Sequence, residues 1–184
     1  YYGYAVVGTV SGTSISFGTP VKFSGSYEAS SIAIAYDSTN YKVAIAWMSG
    51  NSNAGEMVIG TVSGTSISYG STATFNDGSG NIDQISLAYD SNSQKLVVFY
   101  RDGGASSQGK CNVGTVSGTS VSLGSEVTFS SSATYETAAA FDSTNNKVIV
   151  GYKDSGNSDY GTAKVGTVSG TSISFGTPVV YSSS

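Results

Sequence analysis

One eleven-residue string occurs four times, in identical or nearly identical form, in this chain of 184 residues, and its spacing constrains the fold more than any other feature. Successive copies are 52, 54 and 52 residues apart and read GTVSGTSISFG (8–18), GTVSGTSISYG (60–70), GTVSGTSVSLG (114–124) and GTVSGTSISFG (166–176). A second block lies between them, as IAIAYDSTNYKVAIAW (32–47), ISLAYDSNSQKLVVFY (85–100) and TAAAFDSTNNKVIVGY (137–152). A nearly constant period of this length indicates a repeat architecture in which each period is one supersecondary unit.

Each period contains four short segments with alternating residues and none with a helical period. In the first full period, segment A covers 32–37, segment B 42–47, segment C about 56–62 and segment D about 66–75. In segment A, Ile32, Ile34 and Tyr36 point to one face and alanines to the other, because side chains alternate along a strand. Neither face is polar, so we expect the bulky face of one unit to pack against the small face of the next.

This pattern predicts an all-β fold of four-stranded antiparallel units stacked as β-propeller blades. The alternative is an open β-sheet stack or a solenoid, while a two-sheet sandwich would need polar outward faces that these strands lack. The single predicted domain divides into an N-terminal hairpin of strands C and D (1–26), unit 1 (27–78), unit 2 (79–131) and unit 3 (132–184). Three full units are fewer than the four to eight blades of a propeller, and 1–23 matches 159–181 in phase. We therefore expect the chain to belong to a longer array or to complete its stack with further copies.

Two recurrent turns are predicted to close hairpins. Asp37, Asp90 and Asp142 open the A–B turns, where a carboxylate can accept hydrogen bonds from the amides of its own turn. The glycine of each SGTS sequence, between C and D, is expected to adopt a positive φ. Clustered oxygens would also suit Ca²⁺, but each A–B turn offers one carboxylate, so an Asx turn is favoured. We expect neither a metal nor a cofactor.

Composition argues against several classes of function. The chain has no histidine and one cysteine, Cys111, which removes Ser-His-Asp and Cys-His catalysis and a disulfide framework. The net charge is −4 and no basic block is present, so nucleic acid binding is not expected. No apolar run approaches the ~20 residues of a membrane span, and any secretion signal lies outside this sequence.

Carboxylate-pair glycosidase chemistry stays formally open at Glu28, Asp83, Glu136 and Asp159. Units this similar do not provide the one-off residues of an active site, so no enzymatic activity is predicted.

The repeats differ mainly in their B–C and D–A loops, which share one rim if each unit runs A-B-C-D. Variable loops on a rigid scaffold are where binding usually occurs, and aromatic rings beside amides and carboxylates suit a sugar. The candidate ligand-binding residues on this rim are Tyr27, Glu28, Trp47, Asn51, Asn53, Asp83, Gln84, Tyr100, Arg101, Asp102, Tyr135, Glu136, Tyr152, Lys153, Asp154, Asp159 and Tyr160. Trp47, Tyr100 and Tyr152 also continue the bulky strand face, so core packing is the favoured interpretation of those three.

The sequences VGTVSGTSISFGTPV (7–21 and 165–179), FDSTNNKVIVGY (141–152) and KDSGNSDYG (153–161) carry a resemblance to known repeats. Essentially the whole chain resembles tandem repeats of phage tail-fibre-like and secreted marine microbial proteins, and it is broadly similar to lectin propellers at the level of fold. The resemblance implies a scaffold for surface recognition without a catalytic motif.

We therefore expect a non-catalytic recognition module, extracellular or on a virion surface, that binds a surface glycan or a cell-surface receptor through the variable loops. The alternative is a structural protein whose units stack head to tail, with further copies of itself or further repeats, into a fibre or ring. A glycoside-hydrolase-like propeller is less favoured than either.

Overall fold

The structure is a computed structural model that describes residues 1–183. It is all-β with antiparallel pairing, and the only helical segment of these residues is a 3-10 turn at Ser155–Asn157. The N-terminal hairpin contains β1 (Tyr4–Ala5), β2 (Gly8–Ser11), β3 (Ser14–Phe17) and β4 (Val21–Lys22). Unit 1 contains β5 (Ala29–Asp37), β6 (Lys42–Ser49), β7 (Gly55–Ser63), β8 (Ser66–Tyr69) and β9 (Ala73–Asn76). Unit 2 contains β10 (Ile82–Asp90), β11 (Lys95–Asp102), β12 (Gln108–Ser117), β13 (Ser120–Leu123) and the first part of β14 (Val127–Asp142). Unit 3 contains the rest of β14, β15 (Lys147–Asp154), β16 (Tyr160–Ser169), β17 (Ser172–Phe175) and β18 (Val179–Ser182).

Each full unit is an antiparallel meander of strands A, B, C and D in chain order. The bounds of strands A, B and C in unit 1 lie within three residues of the predicted ones. Strand D differs, because it forms two strands, β8 and β9, that both pair with β7. The break occurs at Gly70, whose N–H donates to the carbonyl of Ile59 at 3.0 Å. The prediction of one continuous strand over 66–75 was therefore wrong.

Both predicted hairpin turns are confirmed. Oδ1 of Asp37 accepts hydrogen bonds from the amides of Thr39 at 3.0 Å and Asn40 at 2.9 Å. The carboxylates of the two equivalent aspartates, Asp90 and Asp142, accept the same pair of amide bonds. The glycines of the C–D turns, which are Gly12, Gly64, Gly118 and Gly170, have φ between 58° and 61°. A side chain would be strained at that φ, which accounts for glycine in all four copies.

Apolar clusters join the facing sides of successive sheets. Between units 1 and 2, the alanines Ala44 and Ala46 of β6 lie in one cluster with the larger Leu96, Val98 and Tyr100 of β11. This contact agrees with the prediction that a bulky face packs against a small one.

The contact between units 2 and 3 differs from that pattern. Here β11 contributes Val97 and Phe99 where β6 has alanines, and both pack into a cluster with Val150 of β15. The extra ring is accommodated by aromatic contacts, since Phe99 lies 5.6 Å from Phe129 and 6.3 Å from Phe175 between ring centroids. The small face predicted for every unit is therefore wrong for unit 2.

A further aromatic contact recurs at all three joints between units. An aromatic ring in or just after strand D lies over a glycine in or just before strand C and contacts a strand B ring of the next unit. These ring pairs, with their centroid separations, are Phe23–Trp47 (5.1 Å), Phe75–Tyr100 (5.1 Å) and Phe129–Tyr152 (5.3 Å). A Cβ added to the glycine beneath would lie 2.4, 2.1 or 2.4 Å from the ring at Gly3, Gly55 or Gly109. Only glycine leaves room for the ring at these positions.

The repeated string forms the outer edge of each joint. The glycine after β3, β8 and β13 faces the C–D turn of the following unit. A Cβ added to it would lie 2.0, 1.9 or 1.9 Å from a turn carbonyl oxygen, in the pairs Gly18–Thr65, Gly70–Thr119 and Gly124–Thr171. The two middle copies of the string each supply a turn to the preceding unit and a glycine to the following one. This explains why the glycine and the turn of the string are retained, because a change in either of those copies would alter two joints.

Both ends of the stack keep an uncovered sheet face. We call the side of a unit toward the preceding unit its upstream face and the opposite side its downstream face. On the upstream face of unit 1, Ile34 is 64% exposed, whereas the equivalent Leu87 of unit 2 is 7% exposed. On the downstream face of unit 3, Ala138 and Ala140 are exposed. Residues 1–183 thus form no closed barrel. In the same range, no helix combines the length and apolar character needed to cross a membrane.

Candidate binding cleft

The variable loops adjoin one another, as expected from the order of the strands. In unit 1 the amide of Gly50, in the B–C loop, donates to the carbonyl of Glu28, in the D–A loop, at 2.9 Å. In unit 2 Gly103 donates to Asn81 across the same pair of loops at 2.9 Å. These backbone bonds fix the two loop types side by side on one rim.

A concave surface on this rim has a volume of about 830 Å³ and lies where the N-terminal hairpin meets unit 1. Its lining comes from three segments, namely the start of the hairpin, the D–A loop and the B–C loop. The lining residues are Tyr1, Tyr2, Tyr4, Ser26, Tyr27, Glu28, Gly50 and Asn51. All four tyrosines are exposed. The cleft therefore presents several aromatic rings beside one carboxylate and one side-chain amide.

Backbone and side-chain bonds hold the two walls of the cleft together. The amide of Ala29 donates to the carbonyl of Tyr1 at 3.0 Å, and Tyr2 pairs with Glu28 in an isolated antiparallel bridge. Behind the wall, the buried hydroxyl of Ser24 accepts a bond from the Gly3 amide and donates to the Tyr27 carbonyl, both at 2.8 Å. These contacts fix the backbone that carries the tyrosines before any ligand arrives.

Charges in and around the cleft are already engaged. The Glu28 carboxylate pairs with the amino group of Tyr1. The ammonium group of Lys22 lies 4.3 Å from the centroid of the Tyr2 ring, a cation–π contact that covers one face of that ring. Tyr4 and Tyr27 carry no such contact among the described ring interactions, so their faces remain available for stacking.

A second group of predicted site residues meets between units 2 and 3, but its members bind one another. Arg101 makes two hydrogen bonds to Asp83, one of them at 2.6 Å from Nε, and its guanidinium lies 4.6 Å from the Tyr135 ring centroid. The hydrogen bonds that Arg101 donates to the Asp83 carboxylate raise the pKa of Arg101 above its usual value. Lys153 pairs with Asp159 at 3.4 Å. This closed network leaves few free donors or acceptors, and the groove beside it has a volume of only about 250 Å³.

Three predicted aromatic residues lie in the core rather than on the rim. Trp47, Tyr100 and Tyr152 are 0–2% exposed and form the strand B side of the joints described above. The Tyr100 hydroxyl lies 2.6 Å from Oε2 of Glu126, and burial together with this carboxylate raises the pKa of Tyr100 well above its usual range. Burial, helped by Asp154, raises the pKa of Tyr152 to about 12. Their rings contact other units and are not accessible to a ligand in this structure.

The remaining predicted residues have local structural contacts. Gln84 and Glu136 occupy β-bulges of strand A with φ of 51° and 53°, and Oε1 of Gln84 accepts the Glu136 amide at 2.8 Å. Four others take part in turn or loop hydrogen bonds, namely Asn53, Asp102, Asp154 and Tyr160. Of the seventeen predicted residues, the cleft thus contains Tyr27, Glu28 and Asn51.

Tyr1, Tyr2, Tyr4, Ser26 and Gly50 line the cleft but were not predicted. The three tyrosines lie within residues 1–26, which were predicted to form a hairpin of strands C and D. A position-by-position comparison contains the missing signal, since Tyr1, Tyr2 and Tyr4 correspond to Asp159, Tyr160 and Thr162. Two of these three positions differ, within a segment that is otherwise nearly invariant.

No protein-family model, curated protein or solved structure matches this chain. Within the described residues, no group of three or more histidine, cysteine, aspartate or glutamate side chains is arranged to hold a metal ion. Cys111 is buried, and burial together with the charge of Glu126 raises the pKa of its thiol to about 12. The lining of the cleft is therefore the feature that best indicates a function.

Proposed function

We propose that this chain is a non-catalytic recognition module that binds a glycan in the cleft between the N-terminal hairpin and unit 1. The observation that carries the proposal is the clustering of four exposed tyrosines with Glu28 and Asn51 around one cleft of about 830 Å³. Tyrosine rings stack on the apolar faces of sugar rings, while hydroxyls, amides and carboxylates bond the sugar hydroxyls.

The size and charge of the cleft narrow the ligand class. Its volume of about 830 Å³ falls in the usual range of ligand pockets, ~300–1,000 Å³. The net charge of −4 disfavours acidic sugars, so the proposed ligand is a neutral oligosaccharide. Glycosidases of the usual kind place two carboxyl groups at the scissile bond, and this lining contains one, which favours binding over hydrolysis.

We also propose that the units are propeller-type blades, with strand A innermost. Direct bonds between strands A of consecutive units support this arrangement, because Oγ of Ser86 accepts the Ala139 amide at 2.9 Å. The glycine-rich, charge-poor composition supports an extracellular or virion-surface location.

The binding proposal is tested with a glycan array that contains neutral and sialylated glycans, followed by calorimetry with the best neutral binder. Tyr27→Ala is expected to weaken binding about tenfold, because losing one stacking ring costs up to ~1.5 kcal/mol. Tyr41→Ala is the matched control, since Tyr41 is an exposed tyrosine in an A–B turn, outside the cleft. Absence of array binding by the unmodified chain, or equal losses in both variants, would refute the proposal.

A further inference from the structure

Three residues at the joint between units 1 and 2 depart from the repeat and meet in the structure. Asn76 is the last residue of β9 in unit 1, Lys110 lies in β12 of unit 2, and Glu126 directly precedes β14. The other copies of the repeat have different residues at all three positions. These are Ser24, Ser130 and Ser182 for Asn76, Tyr4, Glu56 and Thr162 for Lys110, and Pro20, Thr72 and Pro178 for Glu126. The three substitutions therefore indicate a role that is particular to this joint.

The Glu126 carboxylate lies between an amine and a primary amide. Its Oε1 is 3.0 Å from Nζ of Lys110, and its Oε2 accepts a hydrogen bond from Nδ2 of Asn76 at 3.4 Å. The hydroxyl of the buried Tyr100, 2.6 Å from Oε2, fixes the carboxylate from a third side. The Lys110 side chain is only 13% exposed, so its amino group is largely screened from bulk water.

The Asn76 amide is oriented at both of its ends. Its Oδ1 accepts a hydrogen bond from the backbone amide of Gly78 at 2.9 Å. Its Nδ2 donates to Oδ2 of Asp102 at 3.2 Å as well as to Glu126. A backbone N–H on the carbonyl oxygen stabilises the negative charge that develops there when a nucleophile adds to the carbonyl carbon. The nitrogen that would leave faces a carboxyl group that can give it a proton.

We propose that Lys110 and Asn76 form an isopeptide bond that joins unit 2 covalently to unit 1, with Glu126 as the catalytic residue. Glu126 takes a proton from the Lys110 ammonium group, and the neutral Nζ attacks Cγ of Asn76. Glu126 then gives this proton to Nδ2 and takes a second proton from Nζ. The Cγ–Nδ2 bond breaks, ammonia leaves with the second proton as ammonium, and Glu126 is again a carboxylate. The reaction thus consumes one ammonium group and one primary amide, and it needs no oxidant and no further reactant.

The surroundings of the pair suit both roles of Glu126. Burial alone would raise the pKa of the Glu126 carboxyl, but hydrogen bonds from Tyr100 and Lys110 hold it below its usual value, so the group begins as a proton acceptor at neutral pH. Transfer of the proton from Nζ removes both charges of the pair, which costs less in a partly buried site than in water. Because the amine and the amide are held in place by one side chain, their encounter requires no further loss of freedom.

The bond would change how the stack comes apart. It would close a loop over 76–110, so that units 1 and 2 could not separate at the rim of the variable loops even when their apolar contacts open. The reaction needs the folded arrangement of both units, so it is expected to follow folding and to occur once in each chain.

The intact mass of the purified full chain, measured after denaturation, tests the proposal. The unmodified chain is expected to be lighter than its sequence by one ammonia, about 17 Da. Tryptic digestion is expected to give one product in which peptides 43–95 and 102–147 are joined and the chain is uncut after Lys110.

Two variants and a control identify the groups that react. Lys110→Arg keeps a cation beside Glu126 but replaces the amine by a guanidinium, which is not expected to attack the amide. Glu126→Gln removes the proton acceptor, and both variants are expected to have the full mass of their sequences. Lys153→Arg is the matched control, because Lys153 is also paired with a carboxylate, that of Asp159 at 3.4 Å. It should show the same loss of about 17 Da as the unmodified chain.

An unmodified chain that keeps its full mass after prolonged incubation in the folded state would overturn the proposal. A loss of ammonia that persists in Lys110→Arg would also overturn it, because this loss would then come from ring closure of an asparagine on its own backbone. A tryptic map with a free Lys110 would have the same consequence. If Glu126→Gln does not fold, Lys110→Arg, which retains the ion pair, decides.

Discussion

Substitution of Gly70 by alanine tests whether the repeated string holds the units together. A Cβ at Gly70 would lie 1.9 Å from the carbonyl oxygen and 2.7 Å from the Cβ of Thr119, in the C–D turn of unit 2. Unstrained carbon–oxygen contacts are longer by more than 1 Å, so the turn or the whole outer edge of unit 2 must move away. Overpacking of this kind costs typically 1–3 kcal/mol, and a backbone neighbour cannot rotate aside. We therefore expect Gly70→Ala to lower the free energy of unfolding by about 3 kcal/mol.

Gly176→Ala is the matched control, because Gly176 occupies the same position of the string in unit 3. Its nearest neighbour is the Val165 carbonyl oxygen, 3.8 Å from an added Cβ. Neither glycine has a positive φ, so alanine restricts the unfolded chain at both sites, which stabilises by up to ~1 kcal/mol. Gly176→Ala is thus expected to be neutral or slightly stabilising.

Urea unfolding followed by circular dichroism measures both variants, at a concentration at which the chain is monomeric. A loss of about 3 kcal/mol corresponds to a fall in Tm of roughly 6–12 °C for a domain of this size. If Gly70→Ala costs less than about 0.5 kcal/mol, or if Gly176→Ala costs as much, the glycine–turn contact does not hold the joint and the explanation of the uniform string fails.

Two further predictions concern buried polar groups. Tyr100→Phe removes the hydroxyl that lies 2.6 Å from Glu126. It is expected to lower the free energy of unfolding in urea by about 2 kcal/mol, because hydrogen bonds to charged groups are worth ~1.5–3 kcal/mol. Tyr41→Phe, at an exposed ring, should leave that free energy unchanged, and equal effects of the two variants would contradict the stabilising role of the Tyr100–Glu126 hydrogen bond. Acid should destabilise the chain. Burial alone would raise the pKa of Asp37 and of Glu126. Hydrogen bonds from Asn40 nevertheless hold the pKa of Asp37 below its usual value. Hydrogen bonds from Tyr100 and Lys110 do the same for Glu126. Such carboxylates stabilise the fold above the unfolded pKa values of ~3.9–4.3 and lose that contribution as pH falls through the lower folded values. Urea midpoints should therefore be constant from about pH 7 to 5 and fall below about pH 4, and a midpoint unchanged at pH 3 would contradict this assignment.

Much of the fold is predictable from the sequence because its signals are local and occur several times. The two-residue alternation identifies strands A to C, and the A–B and C–D turns contain the residues that their geometry requires. The break in strand D is not local, since it occurs where Gly70 meets a turn that lies about fifty residues further along the chain. Likewise, the packing of Phe99 depends on Phe129 and Phe175, which lie in other strands of units 2 and 3.

The candidate site was only partly predictable, for a different reason. The loop comparison identified Tyr27, Glu28 and Asn51 because those loops vary between units. It passed over Tyr1, Tyr2 and Tyr4 because residues 1–26 were predicted to be strands C and D of a hairpin and not a variable loop. It also included Arg101, whose guanidinium is paired with Asp83. The sequence does not show this pairing, because it does not show which side chains lie side by side in the fold.

The cleft has one wall on the N-terminal hairpin and the other on unit 1. A ligand that contacts both walls would therefore hold these two segments together. By mass action, a ligand at a concentration one hundred times its Kd stabilises the state in which both walls are in place by about 2.7 kcal/mol. Opening of the hairpin, as read by proteolysis or hydrogen exchange within residues 1–23, should then slow by roughly one hundredfold. A saturating ligand that leaves this rate unchanged would mean that the two walls do not bind it together. Occupancy of the cleft and attachment of the first two strands are thus one coupled equilibrium.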